Sequence, residues 1–387
     1  MAKIISIGKC DKKIIIPILS GFFNFILKII LKLSNSELNK YPLVLSIASS
    51  IGMSLAIFLC IFYHLKNKRN NKVMNNGMDT DKDKRNSILD LLKTNQPSSK
   101  KRRILKIKYY ILNAFLDFIV TILLFAFCME VKISMWIWDL LFICVLSLIV
   151  YKTKIYRHHY VSVALIIIIG ISLDIIAGYY KNFMEKIFNI IIKLIVEIII
   201  VCYAVIVKYT MDVTFCSAYE ICFWTGFLNF ILLVITFFVS KKIKFVNDYE
   251  IFQHLDEFGK KDLFIFFITI ICKFFYNLLI RVTLKNSNLC YWMIIVIVNE
   301  LAPYILNLTD KNAETSTTVQ IIIIIGISFM FLLTLVFNES IELNFLGLST
   351  NTRNSIDKRA SLEQMELYEE YKPSFDIGDY SVNLNGE

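Results

Sequence analysis

Ten nearly uninterrupted apolar runs of about 17–22 residues recur along the chain, and that length crosses a hydrocarbon core of roughly 30 Å as an α-helix. Stretches such as Ile166 to Ile169 and Ile321 to Ile325 are continuously apolar, whereas a transmembrane barrel strand alternates apolar and polar positions. The expected fold class is therefore all-α, a polytopic membrane protein. Composition agrees: 56% of the 387 residues are hydrophobic and 19% charged, against about 45–50% and about 25% in a soluble domain.

The runs are Ile14–Leu31, Leu43–Tyr63, Tyr109–Glu130, Met135–Tyr151, Tyr160–Tyr179, Ile190–Val207, Tyr219–Val239, Leu263–Ile280, Cys290–Leu308 and Val319–Phe337. The first contains Gly21, Asn24 and Lys28, so a span and an interfacial amphipathic helix are both open for it. It lacks the small-residue cleavage site of a secretory signal and is expected to stay attached. The cysteines within runs, Cys60, Cys128, Cys144, Cys202, Cys222 and Cys272, show no C-x-x-C spacing and read as small buried hydrophobes.

Charge reports topology before it reports function. The net charge is +10. With both termini in the cytosol, 28 of the 39 Lys and Arg outside the runs, Arg281 and Lys285 among them, fall on the cytosolic side. That bias predicts cytosolic termini and an even number of spans; the membrane expected is an endomembrane of the Golgi or ER, or the plasma membrane. The chain divides into a cytosolic N-terminus (1–13), a first five-helix half (14–179) containing a basic cytosolic loop (64–108), a second half (190–337) and a cytosolic, partly disordered tail (338–387). The loop holds Lys100-Lys101-Arg102-Arg103 and shows no apolar period, which reads as a solvated segment. Its charge suits both a topology signal and attraction to anionic lipid.

One internal match stands out: Ile166-Ile-Ile-Ile-Gly-Ile-Ser172 repeats as Ile322-Ile-Ile-Ile-Gly-Ile-Ser328, an offset of 156 residues. The copies lie in the fifth and tenth runs, so the halves are separated by an odd number of crossings and the second is inverted. Ten helices as a five-plus-five inverted repeat is a transporter architecture, with its substrate site between the halves. Gly170 and Gly326 are then the matched packing positions of the repeat.

Several segments look familiar. Tyr156-Arg157-His158-His159-Tyr160 opens a helix that runs into Ile-Gly-Ile, Phe215-Cys216-Ser217-Ala218-Tyr219-Glu220 leads the seventh run, and Phe337-Asn338-Glu339-Ser340-Ile341-Glu342-Leu343-Asn344-Phe345 follows the tenth. With the ten runs and the basic loop after the second, the chain resembles the drug/metabolite transporter superfamily, and within it the nucleotide-sugar-transporter-like solute carriers of protists. That resemblance implies transport of a small polar or anionic metabolite, a nucleotide sugar among the options. It also implies a central cavity lined in part by the fourth and ninth spans, which makes Tyr291, Trp292, Asn299 and Glu300 candidates.

Ionisable residues at membrane depth cost a few kcal/mol and face a partner or a cavity. Asp117 lies midway along the third run with Asn113 one turn earlier on the same face; Asp139 and Asp174 lie in the fourth and fifth. Lys193 and Glu197 are four apart in the sixth, where a structural charge pair and a functional role are both open. In the eighth, Lys273 and Asn277 share a face, and Lys273 has no acid at that spacing on its own helix. It is the leading candidate to meet an anionic cargo, or Asp117 from the other half; snorkelling competes. In the ninth, Asn299-Glu300 precede Pro303, whose missing amide frees the Asn299 carbonyl. A kink that serves helix packing alone is the competing account.

His64, His158, His159 and His254 lie near or outside run ends with no H-x-x-x-H spacing, so no metal site and no cofactor is expected. No G-x-x-x-x-G-K-[ST] occurs, which argues against an ATP-driven motor. The chain is not expected to be an enzyme. The partners expected are a small-molecule solute and the lipid bilayer, not nucleic acid, and a homodimer is compatible with such a chain. The leading expectation is a transporter working by alternating access, by exchange or ion coupling; the alternative is a channel or receptor-like multi-pass protein.

Overall fold

The computed structural model describes residues 5–7, 12–34, 41–76, 99–127, 136–151, 156–176, 183–243, 259–287, 289–308 and 316–343. These form α1 (Lys12–Ser34), α2 (Pro42–Ser54), α3 (Ala56–Asn76), α4 (Ser99–Phe127), α5 (Trp136–Tyr151), α6 (Arg157–Ile176), α7 (Phe183–Thr214), α8 (Ala218–Ile243), α9 (Lys260–Asn286), α10 (Trp292–Leu308) and α11 (Thr317–Phe337). Leu55 alone separates α2 from α3, and its amide still reaches the carbonyls of Ile51 and Gly52, so the two continue as one rod. Strands β1 (Ile5–Ile7) and β2 (Ile341–Leu343) pair antiparallel, with Ser6 opposite Glu342.

Among the described residues, eight helical stretches are long and apolar enough to cross a membrane: Ile14–Lys32, Pro42–Lys66, Arg157–Ile176, Leu194–Thr214, Ala218–Val239, Lys260–Asn286, Leu289–Leu308 and Thr317–Phe337. The third and fourth predicted runs fall on α4 and α5. Large apolar side chains such as Ile168, Phe238, Phe264 and Ile325 are at least 60% exposed along these helices, the surface a bilayer covers. The chain is an integral multi-pass membrane protein.

α1 packs against α9 and α10, α2 against α8 and α9, α4 against α7 and α8, α5 against α7, and α6 against α11. α1 turns Ser20, Asn24 and Leu27 into the bundle, which favours the spanning reading of the first run over an interfacial one. The interior is filled by Ile143, Ile166, Ile221, Leu284, Met293, Ile295 and Ile327, all nearly inaccessible. Two glycines permit close crossings. A Cβ on Gly52 of α2 would lie 2.6 Å from the Ile270 carbonyl oxygen of α9, and Gly226 of α8 meets the Ser50–Ser54 backbone of α2 in the same way. Small residues allow this approach where helices pack without a hydrophobic driving force. Gly170 is buried, and a Cβ on Gly326 would lie 2.7 Å from the Leu173 methyls of α6. His158 and Glu339 meet at one end of this pair and Leu173 and Gly326 lie farther along it, so α6 and α11 run antiparallel.

Three features depart from the sequence expectation. The β1–β2 ribbon lies in segments read as terminal arms, and it places residues 5–7 and 341–343 at the same end of the bundle. The segment read as a solvated loop is helical at both edges, since α3 runs to Asn76 and α4 starts at Ser99. Residues 66–76 contain neither Gly nor Pro, and extending an existing helix requires no new nucleus. Arg281, counted with the loop cations, is 3% exposed inside α9. The expectation for the tail beyond Leu343 and for residues 77–98 lies outside the described residues.

The seven described cysteines, Cys60, Cys144, Cys202, Cys216, Cys222, Cys272 and Cys290, are free thiols. A three-residue turn joins α7 to α8, with Phe215 at φ 52°. There Ser217 Oγ accepts the Glu220 amide as a helix N-cap.

Candidate functional site

α9 carries Lys273, Tyr276, Asn277 and Arg281, whose three- and four-residue spacings keep them along one side of the helix. They enter two polar clusters inside the bundle.

In the first cluster, α9 meets α1 and α10. Lys273 Nζ donates to Asn24 Oδ1 at 3.0 Å, Asn24 Nδ2 donates to Asn299 Oδ1 at 3.2 Å, and Asn299 Nδ2 donates to the Tyr276 hydroxyl at 3.2 Å. The Lys273 ammonium also lies 5.1 Å from the centre of the Tyr276 ring, within cation–π range. Pro303 has no amide to give the Asn299 carbonyl, and Lys28 Nζ donates to that oxygen at 2.9 Å. Glu300 lies partly buried beside this group and acts electrostatically on Lys28. Phe23 stacks on Phe275 with ring centres 4.8 Å apart and flanks the cluster.

In the second cluster, α9 meets α4, α7 and α8. Arg281 donates from one terminal nitrogen to the Tyr203 hydroxyl at 3.0 Å and from the other to the Asn277 carbonyl at 3.1 Å. Tyr203 in turn hydrogen-bonds Asp117, and Asn229 Nδ2 donates to Asp117 Oδ2 at 2.6 Å. Arg281 is the opposite charge acting on Asp117. Its Nε has no hydrogen-bond partner among the described residues although it is buried. Asn113 is buried one turn away and donates to Thr210 Oγ1 at 3.1 Å. Asn277 joins the clusters by donating to Ser49 Oγ at 3.2 Å and to the Lys273 carbonyl at 2.9 Å.

Lys273, Asn277, Asn299 and Glu300 come together, and Asp117 and Asn113 form the neighbouring group. Asp117 is linked through Tyr203 to Arg281 rather than to Lys273. Tyr291 stands apart, its hydroxyl 3.5 Å from the Asn338 carbonyl oxygen. Asp139 and Asp174 are buried elsewhere. Glu197 is half-buried on α7, and the side chain of Lys193 lies outside the described residues. Sequence reasoning missed Arg281 and Tyr203. The available signal is α9 itself: Arg281 lies eight residues, a little over two turns, beyond Lys273, one residue past the end of the apolar run Leu263–Ile280.

A further group lies at the bundle end that holds the β-ribbon. One ligand-type atom from each of His158, His159 and Glu339 lies within 4.8 Å of the others, although no sequence spacing links the histidines to Glu339.

Neither known family profiles nor curated protein sequences match this chain. One solved structure, described only as the crystal structure of a protein, aligns with 84% of this chain and 97% of its own at 12% identity, with a TM-score of 0.48. It is a distant structural neighbour that identifies no family.

Proposed function

We propose that the chain is a transporter of a small anionic metabolite, built from ten spans in two inverted five-helix halves, with both termini cytosolic. What supports this is the helix pairing. Count α2 and α3 as one unit, so that ten units run from α1 to α11. α1 packs on the eighth and ninth units, α9 and α10, and the sixth unit, α7, packs on the third and fourth, α4 and α5. Exchanging every unit with the one five places along turns one set of contacts into the other. It leaves the α2–α8 and α6–α11 contacts unchanged.

The observation that carries the reading is the placement of charge within that pattern. At the offset of 156 that relates the two Ile-Gly-Ile-Ser segments, Lys273 corresponds to Asp117, and each begins one of the two polar clusters. The clusters hold Lys28, Lys273 and Arg281 against Glu300 and Asp117, an excess of one positive charge within the two clusters. An anionic solute supplies the balance, and a site shared by inverted halves suits alternating access. Resemblance to the drug/metabolite transporter superfamily is consistent with the same assignment, and a nucleotide sugar is one such anion.

Purified protein in liposomes, assayed with nucleotide sugars, free nucleotides, sugar phosphates and amino acids, tests this. Saturable uptake of one anionic class, accelerated by preloading the same class inside, is the expected result. Uptake no greater than in protein-free vesicles for every class, with ion conductance in planar bilayers, would replace transport by a channel.

A further inference from the structure

We propose that His158, His159 and Glu339 form a binding site for a transition-metal ion of the zinc class, tying the start of α6 to the end of α11. His158 is 3% exposed, and Glu339 Oε1 lies 3.2 Å from its Nε2. That contact falls outside hydrogen-bond geometry, and both ring nitrogens of His158 lack a hydrogen-bond partner. A buried imidazole normally finds one. The His159 ring centre lies 3.9 Å from that of His158, the two planes tilted by 37°, and Phe337 meets it edge-on at 4.8 Å. Its Nδ1 accepts the Tyr156 amide at 3.1 Å, a donor at the open start of a helix that water can satisfy if an ion takes the lone pair.

The backbone of Glu339 is informative in its own right. The Ser340 amide reaches the Leu335 carbonyl and the Glu339 amide reaches that of Val336, the pattern that closes a helix with a left-handed residue, usually glycine. Glu339 occupies that position at φ 57°, where a side chain is unfavourable. Its carboxylate, aimed at two histidines, gives the position a use that glycine lacks.

Two imidazole nitrogens and one carboxylate oxygen are the donor set of zinc and its first-row neighbours, and three protein ligands leave a fourth position open. Calcium and magnesium favour oxygen donors. The site would brace α6 against α11 beside the β1–β2 ribbon, independently of what the bundle carries.

Zinc binding to the purified full-length protein in detergent, measured by competition with a chromogenic chelator and by Tm with and without added ZnCl2, tests the proposal. Histidine 158 is left intact because of its burial; the variants are His159→Gln, Glu339→Gln and Glu339→Gly. The expected result is one zinc equivalent in the wild type that weakens at least tenfold in all three, with the zinc-dependent rise in Tm lost and no response to MgCl2. Glu339→Gly should keep or raise the Tm without metal, because it relieves the left-handed residue, so its loss of zinc is not misfolding. Equal zinc binding in the wild type and Glu339→Gly, or a loss confined to His159→Gln, overturns the site.

Discussion

Lys273 of α9 donates to Asn24 of α1 at 3.0 Å across 249 residues of sequence, so a lysine inside the bundle is held by the first described helix of the chain. Among the described residues its charge is shared with an amide rather than cancelled by a carboxylate, and that leaves it available to an anion. Lys273→Met keeps the volume and removes the charge. Uptake of an anionic solute should fall below a tenth of wild type in Lys273→Met liposomes, while yield and gel-filtration profile remain unchanged. Wild-type uptake would make Lys273 a structural residue. Asn24→Ala should lower uptake less, since it leaves the ammonium in place.

The Asp117 and Arg281 charges, joined through Tyr203, behave differently because each compensates the other. Removing one of two buried charges that compensate each other through a shared hydroxyl leaves the other uncompensated, a loss smaller than the about 3–5 kcal/mol of breaking a direct buried pair. Asp117→Asn and Arg281→Met should therefore each lower the Tm in detergent clearly, whereas the double variant should be more stable than the sum of the two losses. Additive losses would mean that the two residues are not coupled.

Hydrophobic runs alone made the helices legible, because a lipid-facing segment has to be continuously apolar over its whole crossing. Lys273, Asn299 and Pro303 were legible for the same reason, each being an exception inside such a run. The freed Asn299 carbonyl follows from proline chemistry, and Lys28 occupies it at 2.9 Å. Arg281 was not legible: it lies where apolar character ends, and a basic residue there looks like a loop cation until Tyr203 and Asp117 are seen around it. Pairings between distant segments were equally hidden. Nothing in the residues 5–7 announces strand pairing with 341–343, and the adjacency of His158 to Glu339 requires knowing that α6 and α11 are antiparallel.

The crossing of α2 over α9 and α8 has no room for side chains at two points. At Gly52 the obstacle is the α9 backbone, which cannot rotate away as a side chain can. Overpacking a close contact costs about 1–3 kcal/mol, and here it would also push α9 away from α2 and break the Asn277 to Ser49 bond. Gly52→Val should lower the Tm and reduce uptake together, whereas Gly52→Ser should do less of both. Unchanged Tm in Gly52→Val would mean that the crossing is looser than described.

Topology offers the last test. Ser6 and Glu342 are directly opposite in the β1–β2 ribbon, and directly opposed Cα atoms in an antiparallel pair are within the range a disulfide spans. Ser6→Cys with Glu342→Cys should crosslink under mild oxidation in intact membranes, mapped by mass spectrometry as a peptide pair that either single variant lacks. Because both residues then lie on one side of the bilayer, the number of crossings between them must be even. Protease added outside sealed vesicles whose cytosolic face is outward should cut the segment around Lys100–Arg103 and the tail beyond Asn351 without permeabilisation. Failure of the crosslink would remove the ribbon, and tail cleavage only after permeabilisation would reverse the orientation inferred from the basic residues.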